Sequence, residues 1–171
     1  MVDFEVVDLG PTDAIEPGTD APDFTRPLVT DECWQDHTLS ALTHDHGGRT
    51  VLVFTPMVGS FLAKYVWDEL DERGWDNRDE RVVGISASTP YGISQFLDEN
   101  ESPFSLFADP SNEIADAYSI AHDLDGMAGI SEPRLAFVAI DADRTVEATW
   151  MSTEWPAFPA YDELEERLGF E

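Results

Sequence analysis

Short apolar runs alternating with helix-period stretches constrain this chain more than any other feature. Residues 50–54 (Thr-Val-Leu-Val-Phe) form a continuous apolar run, as expected of a strand covered on both faces. From Ser60 onward, Phe61, Ala63, Val66, Trp67 and Leu70 recur at helical spacing, and Gly74 after Arg73 supplies a stop. Residues 81–88 read as a second strand, and Pro90 starts a second helix with Ile93, Phe96 and Leu97 facing inward. A short strand over 104–108 precedes Asp109-Pro110-Ser111-Asn112, which is expected to cap a helix over 113–118. Residues 134–140 and 145–151 form a hairpin through the turn 141–144, and a last helix covers 161–168. Strands alternating with helices and ending in a hairpin predict an α/β fold: one mixed sheet flanked by helices.

The rest of the chain fits one domain over 1–171. Residues 1–20 are acidic, with Pro11, Pro17 and Gly18, and predict an extended N-terminal arm over 1–17 or an edge strand. Residues 21–29 lead through a polar turn at 30–32 into a pairing segment at 33–35, an N-terminal β-hairpin. Residues 38–42 suggest a brief helical turn before a loop over 44–49, and the loop 121–132, with Gly126 and Gly129, is expected to be mobile. The five tryptophans are expected in the core or on a dimer face, and Trp155-Pro156 with Phe158 could line an exposed apolar patch.

Charge excludes several functions. Thirty-six acidic residues face nine basic ones, for a formal net charge of −27, which opposes binding to nucleic acid or to an anionic membrane. The acids are dispersed along the chain, so they read as a solvated surface and not as a tail. High salt shortens the Debye length to a few ångströms, so the composition points to the salt-rich cytoplasm of a halophilic archaeon. No stretch approaches the roughly 20 apolar residues of a membrane span, and the N-terminus lacks signal-peptide character.

Cys33 is the only cysteine, which excludes an internal disulfide, a CxxC redox pair and an intramolecular pair of peroxidatic and resolving thiols. Its acidic neighbours Asp31, Glu32 and Asp36 work against a thiolate. Cys33, His37, His44 and His46 are residue types that can bind zinc, but their spacing fits no zinc motif, so no metal and no cofactor is expected.

The run Val51-Leu52-Val53-Phe54-Thr55-Pro56, followed by Ser60, resembles the peroxidatic loop of peroxiredoxins, in which a cysteine stands seven residues after the proline. Gly18-Thr19-Asp20-Ala21-Pro22-Asp23-Phe24, Val83-Gly84-Ile85-Ser86, Phe107-Ala108-Asp109-Pro110 and Arg134 before Ala136–Asp141 extend the resemblance over about residues 18–168. It implies a thioredoxin-like three-layer sandwich of peroxiredoxin type. It also implies roles for Pro56 in shielding a thiolate, Ser60 in orienting peroxide and Arg134 in lowering the thiol pKa. The thiol position holds Ala63, and Thr55 and Lys64 depart from the pattern as well. A methyl group cannot attack an O–O bond, so no catalytic residue is expected, only a vestigial pocket of Pro56, Ser60, Ala63 and Arg134.

Each member of that pocket also has a plainer reading. Ser60 could be only an N-cap, Arg134 only a structural cation, and Ala63 the mark of an engineered variant, although the unusual Met57-Val58-Gly59 favours natural divergence. If Arg134 and the helix start do converge, they would hold a small anion, or a nearby Asp or Glu would take its place. A thiol restored at position 63 would then have its pKa lowered by Arg134. Two functions stay open: a silent binding, regulatory or hetero-oligomer module, as a homodimer or beside a cysteine-containing homologue, and a peroxide-reducing antioxidant oxidoreductase using Cys33 or a partner's thiol.

Overall fold

The structure, a computed structural model, describes residues 6–10, 15–122 and 128–170. In chain order the elements are β1 (Val7–Asp8), β2 (Thr25–Val29), β3 (Trp34–Thr38), α1 (Leu39–His46), β4 (Thr50–Thr55) and α2 (Phe61–Glu72). A 3-10 turn (Trp75–Asn77), β5 (Arg81–Ser86), α3 (Pro90–Glu99), β6 (Ser105–Ala108) and α4 (Glu113–Ala117) follow. The chain continues through β7 (Ala121–His122), β8 (Glu132–Pro133), β9 (Ala136–Ile140), β10 (Val146–Met151), β11 (Glu154–Trp155) and α5 (Tyr161–Leu168).

Seven strands form one sheet in the order β10-β9-β4-β5-β6-β2-β3. β4, β5 and β6 run parallel, and the flanking pairs are antiparallel, so the sheet is mixed as expected. The N-terminal hairpin β2–β3 forms one edge of this sheet. Strand alternation divides the core into two layers. Val51 and Val53 of β4 face α2, α3 and α5, where Val66, Leu70, Ile93, Leu97, Leu164 and Leu168 are buried. Leu52 and Phe54 face the opposite side, against Leu39 and Leu42 of α1 and Ile114 of α4. Helices, sheet and helices make the three-layer sandwich.

Several local expectations need correction. The helical turn at 38–42 is a two-turn helix, α1, and its last turn carries His44 and His46. The stop is Gly47, at φ 74°, whose N–H donates to the Thr43 carbonyl. The cap expected over 109–112 is present and comes from its first residue: the buried Asp109 carboxylate accepts from Ile114 N–H at 2.8 Å, while the Asn112 side chain makes no cap bond. The segment expected as a loop over 121–132 begins and ends in paired strands, β7 against β8. Gly126 lies outside the described residues.

Trp67 and Trp75 are core residues, Trp150 and Trp155 are half-buried, and Trp34 packs edge-on against exposed Tyr91. Gly84 makes the Trp67 position possible. A Cβ there would stand 2.5 Å from Trp67 Cζ2 and 2.6 Å from Leu106 Cγ, inside van der Waals contact on two sides. Gly84→Ala is therefore expected to cost about 2–3 kcal/mol through overpacking. That loss lowers the thermal midpoint by roughly 4–10 °C for a domain of this size. Thermal melts of the two proteins in the same buffer check it; an unchanged midpoint would mean that the indole can move at no cost.

Candidate functional site

The parallel strands deliver three loops to one end of the sheet: 56–60 after β4, 87–89 after β5 and 109–112 after β6. Open α/β sheets bind ligands outside the carboxyl ends of such strands. Ser60 and Thr89, at the ends of the first two loops, are helix N-caps. Ser60 Oγ accepts from Ala63 N–H at 3.3 Å, and Thr89 Oγ1 accepts from Gly92 N–H at 3.1 Å. Ala63 is the third residue of α2 and is fully buried. Ser60 and Ala63 are thus brought together as a capping pair.

Buried hydroxyls fix the first loop. Ser86 Oγ donates to the Pro56 carbonyl at 3.2 Å, so in its 2.8 Å contact with Ser88 the proton comes from Ser88. Ser88 Oγ in turn accepts from Val58 N–H at 3.1 Å. The relay starts and ends on the same loop and holds its backbone at residues 56 and 58. Met57 N–H donates to Glu132 Oε2 at 2.8 Å, and the Glu132 side chain is only 1% exposed. Loops 57–60 and 87–89, with Gly92, Pro110 and Glu132, line a cavity of about 520 Å³.

Arg134 has a different set of partners from the one expected. Its guanidinium is buried and donates to the carbonyls of Leu9 (2.7 Å), Gly10 (2.7 Å) and Ser152 (3.4 Å). Burial pulls its pKa below the ordinary arginine value, and the Asp8 carboxylate partly offsets this. Neither a bound anion nor an acidic side chain is needed to satisfy these donors: backbone carbonyls of the N-terminal segment and of residue 152 do so. That segment is also held by β1, which pairs antiparallel with β11.

The other candidates lie elsewhere. Cys33 is exposed in the turn between β2 and β3, separated from β4 by β5, β6 and β2. His37 is on edge strand β3, and His44 and His46 are exposed on α1. Among the described residues no three His, Cys, Asp or Glu side chains are grouped to hold a metal, and no helix is long and apolar enough to cross a membrane. Tyr65 and Phe158 meet edge-on at 6.2 Å and are both exposed, which places an aromatic patch beside α2.

Sequence reasoning missed Glu132 and the Ser86–Ser88 relay. A signal for Glu132 existed in its place two residues before Arg134, but one acid among 36 has no contrast. The serines lie at the end of a recognisable strand, yet which way their hydroxyls point depends on the neighbouring loop.

A sheet with a parallel centre, antiparallel flanks, helices on both faces and a capped loop–helix after β4 defines a thioredoxin-like protein. Residues 17–149 match the model of the AhpC/TSA family, and the chain belongs to that family. Solved structures agree in fold. The reduced 2-Cys peroxiredoxin of Plasmodium vivax is 18% identical at a TM-score of 0.71, covering 86% of this chain and 77% of its own. Peroxidoxin BcpB of Mycobacterium tuberculosis is 21% identical at a TM-score of 0.67, covering 90% and 94%. The mitochondrial 2-Cys peroxiredoxin of Plasmodium falciparum is 17% identical at a TM-score of 0.73, covering 90% and 92%. No curated protein sequence matches the chain.

Proposed function

We propose that this peroxiredoxin-like protein is silent as a thiol peroxidase and acts as a binding, regulatory or hetero-oligomer module in a salt-rich cytoplasm. One observation carries this reading: the third residue of α2, where the family resemblance puts the nucleophile, is the methyl side chain of Ala63. Peroxide reduction needs a thiolate to displace hydroxide or alkoxide from the O–O bond and become a sulfenic acid. The arrangement of Arg134 supports the same reading, since three of its donors are committed to backbone carbonyls.

The exposure of Cys33 favours one alternative, an antioxidant oxidoreductase working through that thiol. Consumption of hydrogen peroxide and an alkyl peroxide, with dithiothreitol as reductant in molar potassium chloride, separates the two. The native protein is expected to match a protein-free control. Robust turnover that disappears in Cys33→Ser would establish the oxidoreductase instead.

A further inference from the structure

We propose that the cleft between the β2–β3 turn and the outer face of α3 is a binding site for a small quaternary ammonium compound. The site stands whether or not the chain reduces peroxide, and it shares no residue with the cavity beside Glu132.

Two elements bring the site together. Tyr91, Ser94 and Asp98 are spaced i, i+3, i+7 and so lie on one face of α3, Tyr91 in its first turn and Asp98 in its last. Asp31 and Trp34 come from the β2–β3 turn and the start of edge strand β3. Together they line a cleft of about 400 Å³, within the range of small-molecule sites. The Trp34 and Tyr91 rings stand 5.2 Å apart at 78° and form two sides of a corner. Single exposed aromatics are ordinary on a protein surface. Here two meet in one cleft, and their contact still leaves Trp34 38% and Tyr91 75% exposed.

Charge decides the class of ligand. The faces of aromatic rings are electrostatically negative and attract cations. Asp31 and Asp98 are exposed carboxylates on the same cleft, and none of the ion pairs among the described residues uses either of them. The first turn of α3 contributes the opposite sign, about half a positive charge, which two carboxylates outweigh. The net charge of −27 works in the same direction, drawing cations to the surface and repelling anions.

The kind of cation follows from what the cleft offers. A calcium-like ion takes six to eight oxygen ligands, and no three His, Cys, Asp or Glu side chains are grouped among the described residues. A primary ammonium is strongly hydrated, and ring faces cannot replace the water it would lose. A quaternary ammonium has no N–H to satisfy. Its methyl groups lie against the rings while its charge is met by the carboxylates, the arrangement in which cation–π attraction recognises such ligands.

Three probes of similar size test the class, titrated calorimetrically against the full chain in molar potassium chloride. They are choline, its neutral isostere 3,3-dimethylbutan-1-ol with carbon in place of nitrogen, and ethanolamine with a primary ammonium. Choline is expected to bind saturably at one site, with a Kd on the order of 1 mM. Both analogues should be at least about tenfold weaker, a difference of about 1.4 kcal/mol. Trp34→Leu and Tyr91→Leu should each weaken choline about fivefold or more. Asp31→Asn combined with Asp98→Asn should weaken it about twofold or more even with charges screened. Tyr65→Leu, which removes an exposed ring from α2, should bind as the native protein does. No saturable choline binding, an analogue equal to choline, or folded ring variants that bind normally overturns the proposal. Sedimentation in which Trp34→Leu splits an oligomer overturns it too, because a second copy would then cover the rings. If neither ring variant folds, the three-probe comparison on the native protein still decides. Peroxide turnover on the same samples keeps the two readings apart: turnover alongside choline binding sinks the silent reading and leaves this site.

Discussion

Ala63→Cys is expected to give a folded protein with a sluggish thiol. Its pKa should lie no more than about one unit below the free-thiol value of about 8.5, far from the most activated cysteines. Two local effects oppose each other there. The first turn of α2 favours the thiolate, whereas complete burial of position 63 disfavours it. The sequence suggested that Arg134 would tip this balance, but its donors are bound to the carbonyls of Leu9, Gly10 and Ser152. Removing residues 1–10 from the Ala63→Cys protein deletes two of those acceptors. The thiol pKa should then fall by about one further unit as the guanidinium becomes available to the thiolate. The pH dependence of iodoacetamide alkylation reads both values. A pKa below about 6 in the full-length variant, with rapid peroxide reduction, would mean that the carbonyls do not restrain Arg134.

Dilution from molar salt into low-salt buffer is expected to destabilise the fold by several kcal/mol, lowering the thermal midpoint by on the order of 10 °C. Two terms compete. Arg26, Arg49, Lys64, Arg73 and Arg78 all make ion pairs, and screening weakens them. Exposed pairs of this kind contribute about 0–1 kcal/mol each. Against them stands the self-repulsion of a net charge of −27 on a 171-residue domain. The acids outnumber their partners four to one, so relief of repulsion dominates. Melts across a potassium chloride series test the sign, and a midpoint that is equal or higher in dilute buffer would remove the halophile reading.

The elements that were legible in the sequence carry their own punctuation. Helix α5 spans Tyr161–Leu168 as expected, because its two buried leucines lie four residues apart and Gly169 follows. Helix α3 starts at Pro90 as expected, since proline at the first helical position loses no hydrogen bond. Helix α1 runs past its last apolar residue because His44-Asp45-His46, polar enough to pass for a loop, is still helical and the physical stop, Gly47, comes next. Strands β7 and β8 are two residues each, below the length at which alternation shows. The pocket was legible only in part. Pro56, Ser60 and Ala63 lie within eight residues, so local pattern places them. The acceptors of Arg134 include residues 124 and 125 positions away, and only the tertiary fold selects them.

The contact between Arg134 and the N-terminal segment also sets how that segment breathes. The β1–β11 ladder is only two residue pairs long and would fray readily by itself. Leu9, immediately after it, is buried and donates its N–H to the Thr153 carbonyl, while its own carbonyl accepts from the guanidinium. Peeling the segment away would therefore leave a cation without two of its acceptors, and that penalty resists opening from the far side of the ladder. Amide exchange along the segment should follow: the Leu9 N–H is protected by a side chain 125 residues distant, and its protection factor collapses in Arg134→Met while those in the central strands hold.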